Sequence, residues 1–157
     1  MAKEIERKFL VATDGWRQNA DKGIRLRQAY IVTMDDRSLR VRIHGNKRAR
    51  LTIKIGKSSL VRNEYEYDLP IDDARELLTQ AVGIVIEKRR YRVPYKGFTW
   101  EVDVYEGALE GLVVAEVEMK RETDLPDLPA WLGREITGDR RYSNQSLATE
   151  GLLETQP

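Results

Sequence analysis

Two carboxylates and an ammonium alternate with other side chains near the start of the chain, in Glu4-Ile5-Glu6-Arg7-Lys8. Because successive side chains of a β-strand point to opposite faces, Glu4, Glu6 and Lys8 are expected on one face. Paired carboxylates suit hard divalent cations, and a neighbouring ammonium suits a phosphate oxygen. A solvent-exposed strand face can carry the same pattern, so the case for a site depends on the rest of the chain.

Same-sign charges recur two or four residues apart along the chain. Like charges on neighbouring positions of one strand face repel each other unless a ligand or a counterion lies between them. An ordinary solvated sheet face remains the alternative for each pair taken singly. The acidic pairs are Glu4/Glu6, Glu64/Glu66, Glu101/Asp103 and Glu116/Glu118, and the basic pairs are Arg40/Arg42, Arg50/Lys54 and Lys88/Arg90.

Eight segments have the pattern of strands, and short turns separate most of them. The turn at residues 45–46 is expected to join two of them in a hairpin. In the second segment Arg25 and Arg27 share one face and Gln28 and Tyr30 the other, and either face could point inward. Strands joined by short turns favour one antiparallel sheet, closed into a barrel. The predicted strands cover residues 4–10, 24–32, 39–43, 50–55, 62–68, 85–93, 100–105 and 113–120.

Residues 72–82 change to a helical period, with Asp72 as the N-cap and Gly83 as the stop. The apolar stripe of this helix needs an apolar surface, which the strand faces opposite the charges supply. The charged faces would then point into the barrel. The predicted fold is α+β, mainly β: an eight-stranded antiparallel β-barrel, or tunnel, with helices packed outside. Residues 124–133 are expected to form a short helix or turn, and residues 144–151 a capped helix.

An eight-stranded barrel has an interior just wide enough for side chains or one small ligand. Charges in that interior cannot stay dry and unpaired, because removing an ion from water is costly. A hydrated tunnel that holds metal ions and a polyanion resolves this conflict. The carboxylates suit Mg²⁺ or Mn²⁺, and rows of arginine and lysine suit phosphate oxygens.

The composition excludes several classes of function. The chain has 157 residues, which suits one domain over residues 1–157, and its 27 basic and 26 acidic residues leave no basic field for nucleic acid. The absence of cysteine excludes a thiolate zinc site, and a single histidine, His44, is best read as a turn residue. No apolar run approaches the roughly 18 residues of a membrane span. We expect a cytoplasmic monomer or homodimer with a small-molecule substrate and no nucleic-acid or membrane partner.

The ordered set of charged motifs resembles the CYTH superfamily, the triphosphate tunnel metalloenzymes. The likeness begins with E-x-E-x-K at residues 4–8 and covers essentially the whole chain. E-x-E-x-K alone is a weak pattern, whereas the complete set in this order is specific. The resemblance implies an eight-stranded antiparallel tunnel that binds a linear triphosphate with a divalent metal. The other motifs are Leu-Arg-Val-Arg (39–42), Thr-Ile-Lys (52–54), Glu-Tyr-Glu (64–66), Glu-Lys-Arg-Arg-Tyr (87–91), Glu-Val-Asp (101–103), Glu-Val-Glu (116–118) and Arg-Tyr-Ser-Asn-Gln-Ser-Leu-Ala (141–148).

The resemblance also implies roles for the residues at matching positions. It leaves open whether Glu64, Glu66 and Glu101 belong to the metal side or pair with basic residues, and it assigns no role to Gln28 and Tyr30. The implied triphosphate-binding residues are Lys8, Arg40, Arg42, Lys54, Lys88 and Arg90; the implied metal ligands are Glu4, Glu6, Asp103, Glu116 and Glu118; the implied catalytic residues are Glu6, Lys8 and Glu118.

Metal-dependent hydrolysis of inorganic triphosphate to pyrophosphate and phosphate is the expected activity. Phosphoryl transfer requires neutralised charge on several oxygens and a water held in line, and a metal ion contributes to both. The alternatives are cyclization of ATP to cyclic AMP, hydrolysis of an organic triphosphate, and non-catalytic binding of polyphosphate or nucleotide. The acidic pairs favour an enzyme, because a binding module could dispense with them. No segment argues for a mouth that recognises a base and a ribose.

Overall fold

The charged alternation belongs to β-strands in the computed structural model, which describes residues 2–56 and 61–151. The strands in this part of the chain are β1 (Ala2–Val11), β2 (Ile24–Met34), β3 (Arg37–His44), β4 (Arg48–Ile55), β5 (Val61–Leu69), β6 (Val82–Tyr95), β7 (Phe98–Tyr105), β8 (Val113–Glu118) and β9 (Leu132–Glu135). The α-helices in the same ranges are α1 (Ile71–Leu78) and α2 (Asn144–Glu150). Within the described ranges neither helix has the length and apolar character needed to cross a membrane.

The strands form one antiparallel sheet in the order β5-β4-β3-β2-β6-β7-β8-β1-β9. β5 also pairs with β1, through residues 61–64 and 2–5, and this pairing closes eight strands into a barrel. β9 continues along the edge of β1 beyond β5, opposite Phe9 and Val11. The predicted eight-stranded antiparallel barrel is confirmed, with β9 as an additional short strand.

α1 covers apolar residues on the outward faces of β2 and β3. Ala74 and Leu78 of α1 pack against Ala29 and Val41 of the sheet in one buried cluster. A second cluster, centred on Trp100, covers the outward faces on the other side of the barrel. Because these faces are buried outside, strand alternation directs the charged faces into the barrel.

α2 packs against residues that point into the barrel. Leu147 of α2 lies in one buried cluster with Ile86, Tyr105 and Val114, which share their strand faces with charged residues. The Tyr105 hydroxyl donates to Asn144 Oδ1 at 2.6 Å. The prediction that helices lie outside the barrel therefore holds for α1, whereas α2 enters one end of the interior.

Three boundaries bear on the predictions. The helix predicted over residues 72–82 ends at Leu78, because Val82 already pairs with Tyr30 in the sheet. Residues 124–133 contain no helix, and their last two residues belong to β9. β9 has only four residues, too few for an alternating pattern, and it exists because β1 has a free edge. The capped helix near residue 144 is confirmed, since the Ser143 hydroxyl accepts a hydrogen bond from the Ser146 amide.

Gly83 lies inside β6, at the point where the backbone of α2 approaches the sheet. Its φ is +76°, and a Cβ at this position would overlap the Ala148 carbonyl oxygen. The residue therefore does not stop α1; it makes room for α2 in a backbone conformation that favours glycine.

Gly83→Ala is expected to destabilise the protein by about 3 kcal/mol, because it adds left-handed backbone strain and a clash with α2. Gly97→Ala is the matched control, since Gly97 has a φ of +84° but no atom within 4 Å of its added Cβ. The thermal midpoint of Gly83→Ala should fall several degrees further than that of Gly97→Ala. Equal midpoints would show that α2 does not press on Gly83.

Candidate active site

A cavity of about 190 Å³ lies inside the barrel, and charged side chains dominate its lining. Alternate residues of seven strands supply these side chains, so the arrangement follows directly from strand geometry. The charged lining residues are Glu4, Glu6 and Lys8 of β1, Arg40 and Arg42 of β3, Lys54 of β4, Arg62, Glu64 and Glu66 of β5, Arg90 of β6, Glu101 of β7, and Glu116 and Glu118 of β8.

Nine of the eleven predicted site residues line this cavity, and Lys88 and Asp103 do not. The side chains of Lys88 and Asp103 are 0% and 2% exposed, and Lys88 Nζ lies 2.7 Å from Asp103 Oδ2. Asp103 also accepts two hydrogen bonds from Arg90, at 2.7 and 2.8 Å. Asp103 therefore lies between two cations, Lys88 and Arg90. Of these three residues, only Arg90 lines the cavity.

The carboxylates of β1 and β8 face each other across one wall of the cavity. Glu6 is paired in register with Glu118, and Lys8 with Glu116. Burial, followed by repulsion from Glu116 and Glu4, raises the pKa of Glu6 to about 8. Burial acts in the same direction on Glu116, but Lys8 and Arg90 outweigh it and hold the pKa of Glu116 well below its usual range. Glu118 is exposed at the edge of the cavity.

A second group of carboxylates, at the junction of β1 and β5, is already paired with cations. Lys54 Nζ lies 3.0 Å from Glu4 and 3.6 Å from Glu64. Arg62 lies 3.5 Å from Glu4 and 3.6 Å from Glu6. Burial raises the pKa of Glu64 to about 7, with further contributions from Glu4. This side of the cavity is therefore close to electrically balanced.

The two arginines of β3 that line the cavity, Arg40 and Arg42, have uncharged partners instead. Arg42 Nε donates to Gln28 Oε1 at 2.7 Å, and Arg40 Nη2 donates to Thr52 Oγ1 at 3.3 Å. Burial, followed by repulsion from Arg40 and Arg90, lowers the pKa of Arg42 to about 9. Positive charge is thus concentrated on β3, opposite the carboxylates of β1 and β8.

A model of the CYTH domain matches residues 2–151, which is nearly the whole chain. The chain belongs to the CYTH family. The resemblance inferred from its charged motifs is therefore confirmed.

Named relatives of this CYTH protein cover almost all of its length. An inorganic triphosphatase of Acetivibrio thermocellus is 46% identical over 148 residues, covering 94% of each protein. An inorganic triphosphatase of Nitrosomonas europaea is 37% identical over 150 residues, covering 92% of this chain and 96% of the relative. The crystal structure of the inorganic triphosphatase NE1496 superposes with a TM-score of 0.66 at 36% identity, covering 95% of this chain and 96% of that one.

The fold is also shared with more distant proteins. The structure of the PH1012 protein from Pyrococcus horikoshii OT3 has a TM-score of 0.61 at 21% identity, covering 76% of this chain and 80% of that one. At this identity the likeness concerns the barrel alone.

The CYTH cavity includes residues to which the sequence assigned no role. Ser38 and Arg62 precede Arg40 and Glu64 by two residues, so strand alternation could have identified them. Tyr30 also lines the cavity, which resolves the inward face of β2 in favour of Gln28 and Tyr30. Ser143, Asn144 and Gln145 reach it from the start of α2, and no periodic pattern could have signalled a helix that enters a barrel.

Glu64, Glu66 and Glu101 pair with cations, which is one of the two roles that the sequence left open. Glu64 contacts Lys54 at 3.6 Å, as noted above, and Glu66 contacts Arg50 at 3.5 Å. Glu101 lies 3.4 Å from Arg90. All three carboxylates therefore hold basic residues of the barrel, and two of these basic residues, Lys54 and Arg90, line the CYTH cavity.

The oxygen donors on β1 and β8 fit a divalent cation. The Glu6 and Glu116 carboxyl groups hydrogen-bond to each other, so the shared proton offsets the repulsion between them. A divalent cation could offset the same repulsion instead. In the described ranges no three carboxylate or imidazole groups are already gathered so that they could hold a metal ion. A cation here would thus be held by one or two carboxylates together with phosphate oxygens and water, as Mg²⁺ usually is.

The stability that Glu6 gives the metal-free protein is expected to fall as the pH rises from about 5 to about 8. The folded-state pKa of Glu6, about 8, lies above its ordinary value of 4.5. The stability that protonated Glu6 contributes is therefore fully present below pH 4.5 and is lost as the pH rises through 8.

Glu6→Gln should reduce that loss, because its amide can donate to Glu116 at every pH. The measurement is the thermal midpoint in EDTA between pH 5 and pH 8 for the wild type and the variant. Parallel pH profiles would show that Glu6 does not titrate in this range.

Proposed function

We propose that this CYTH protein hydrolyses inorganic triphosphate to pyrophosphate and phosphate, with Mg²⁺ or Mn²⁺ as cofactor. The observation that carries the proposal is the separation of charge inside one closed barrel. Arg40 and Arg42 present uncompensated positive charge on β3, and Glu6, Glu116 and Glu118 gather negative charge on β1 and β8. A linear polyanion bound together with a divalent cation satisfies both groups. The named relatives, which match over almost the whole chain, support the same activity.

The basic lining residues would bind the triphosphate oxygens. Arg40 and Arg42 offer planar guanidinium groups, which suit phosphate oxygens in bidentate contacts. Lys8, Lys54 and Arg90 would add to this set, each already held by a carboxylate. Because such groups are fixed before the substrate arrives, they stabilise the transferring phosphoryl group without reorganisation.

The acidic residues of β1 and β8 would hold the cation, with Glu6 and Glu116 in the buried part of the cavity and Glu118 at its edge. Glu4 would contribute less directly, because Lys54 and Arg62 already neutralise it. When bound, the cation would offset charge on the phosphate oxygens and on an attacking water. Glu6 or Glu118 would accept a hydrogen bond from that water, and Lys8 would bind a phosphoryl oxygen.

Lys88 and Asp103 would support the site from behind the cavity. Asp103 holds the guanidinium of Arg90 through two hydrogen bonds, and Lys88 offsets the remaining charge of Asp103. We therefore assign them a supporting role, in place of the direct contact with triphosphate or metal that the resemblance implied.

The test is to incubate the purified protein with tripolyphosphate or with ATP, each with Mg²⁺, with Mn²⁺ and with EDTA, and to resolve the products. Phosphate and pyrophosphate formed from tripolyphosphate only with a divalent cation are expected. Formation of cyclic AMP from ATP would contradict the proposal, and so would tight binding of tripolyphosphate without turnover.

A further inference from the structure

Arg40 and Arg42 differ from the other cations of the cavity in the charge of their partners. The other basic lining residues, Lys8, Lys54, Arg62 and Arg90, each contact at least one carboxylate within 4 Å. Across residues 2–56 and 61–151, Arg40 and Arg42 form no ion pair, although they are only 6% and 7% exposed. Burying an arginine without a counterion costs free energy, so the presence of two such arginines needs an explanation.

The partner of Arg42 is Gln28, which is fully buried. Gln28 of β2 stands opposite Arg42 of β3 in register, and its Oε1 accepts from Arg42 Nε at 2.7 Å. The Gln28 amide nitrogen has no hydrogen-bond partner, so the side chain is not there to satisfy its own polar atoms. Its one strong contact orients the guanidinium.

A glutamate at position 28 could accept the same hydrogen bond and would be the ordinary partner for a buried arginine. Elsewhere in the barrel a carboxylate is the partner of a buried arginine, since Asp103 accepts two hydrogen bonds from Arg90. The amide oxygen orients the guanidinium as a carboxylate oxygen would, but the neutral amide leaves the charge of Arg42 uncompensated. An anion that enters the cavity would then find the full charge of Arg42 available.

We propose that Gln28 is a positioning residue that holds Arg42 in place without neutralising it, so that Arg42 keeps its charge for the phosphate groups of the substrate. The inference rests on the proposed function, since it takes triphosphate as the anion. It deepens that function, because it explains why the β3 wall of the cavity attracts the polyanion while the junction of β1 and β5 is close to electrically balanced.

Gln28→Glu is the deciding variant, because it keeps the shape and the acceptor and changes only the charge. The KM for tripolyphosphate in the presence of Mg²⁺ is expected to rise about tenfold or more. The kcat should change by less than about threefold, as is expected when uniform binding is lost. The thermal midpoint should stay at or above that of the wild type, because Arg42 gains a counterion. An unchanged KM in folded Gln28→Glu would overturn the proposal.

Gln28→Met decides alone if Gln28→Glu does not fold, because an unchanged KM in Gln28→Met would then overturn the proposal. It removes the acceptor but adds no charge, so KM should rise by about threefold, less than in Gln28→Glu. A purely structural role predicts the reverse order, since Gln28→Glu keeps the hydrogen bond that Gln28→Met loses. Gln80→Glu is the control for the same chemical change outside the barrel, because Gln80 is exposed and lies just after α1.

The failure of the proposed function can be told apart from the failure of this inference. If the wild type does not hydrolyse tripolyphosphate, the proposed function fails. The same variants are then compared by calorimetric titration with tripolyphosphate. Weaker binding by Gln28→Glu than by Gln28→Met would support the role of Gln28, and equal affinities would overturn it.

Discussion

Glu116→Gln is expected to lower kcat/KM for tripolyphosphate by about 100-fold or more while the barrel stays folded. Lys8 and Arg90 hold the pKa of Glu116 well below its usual range despite burial, so the group is an anion at neutral pH. It is also the carboxylate that shares a hydrogen bond with Glu6, in the buried part of the cavity. The amide keeps the shape of the side chain and removes the charge that a divalent cation needs.

The dependence on cation concentration separates two ways in which this variant could fail. If Glu116 holds the cation, a large excess of Mn²⁺ should recover part of the lost rate in Glu116→Gln, because weaker binding can be offset by concentration. If Glu116 only orients Lys8, which it contacts at 3.7 Å, excess cation should not help. A rate equal to that of the wild type would remove Glu116 from the site altogether.

The matched control for this variant is Glu87→Gln. Glu87 is also a strand glutamate in an ion pair, with Arg25 at 2.7 Å, but both side chains are well exposed. Exposed pairs of this kind contribute little, so turnover and thermal midpoint should match those of the wild type. Reduced turnover in both variants would show a general effect of the Glu→Gln change and not a role for the cavity.

Strand alternation is the reason why so much of the cavity could be predicted from sequence. Once Ile5 and Phe9 are buried outside, Glu4, Glu6 and Lys8 must point inward, and each further strand repeats the argument. The same rule could not separate Asp103 from Glu101, because both lie on the inward face. Which of the two reaches the cavity depends on tertiary contacts with Lys88 and Arg90.

The parts that the sequence did not predict depend on pairing and packing between distant segments. β9 is a strand because the edge of β1 is free beyond β5, and nothing in Leu-Gly-Arg-Glu signals this. α2 looks like any short capped helix in sequence, yet Leu147 packs among inward-facing residues of the barrel. Gly83 had the pattern of a helix stop, and only the nearby backbone of α2 gives its actual role.

Asp103→Asn is expected to destabilise the protein by about 3–5 kcal/mol, because it removes the carboxylate from a buried network and leaves two cations together. Asp103 contacts Lys88 at 2.7 Å and Arg90 at 2.7 and 2.8 Å, and the side chain of Lys88 is fully buried. For a chain of this length the thermal midpoint should fall by roughly 6–20 °C. Breaking the exposed pair of Arg7 with Glu135, by Glu135→Gln, is the control and should cost less than about 1 kcal/mol.

The double variant Asp103→Asn/Lys88→Met tests whether repulsion between buried cations causes the loss. Removing the ammonium along with the carboxylate should recover part of the stability lost in Asp103→Asn. Lys88→Met alone has its own effect on stability. If the double variant is less stable than Asp103→Asn by that same amount, the two residues act independently.

The pH dependence of Asp103→Asn provides a second, independent check on Lys88. Burial, opposed by Asp103, already lowers the pKa of Lys88 from 10.5 to about 7. Without Asp103 that pKa should fall further, while the unfolded chain still binds a proton up to its ordinary pKa. Between that lower pKa and about pH 7 the folded wild type keeps the Lys88 proton and the folded variant does not, so the stability deficit of Asp103→Asn should shrink as the pH rises from about 5 to about 7. A variant whose deficit relative to wild type stays constant from about pH 5 to about pH 7 would contradict a charged Lys88 as the source of the destabilisation.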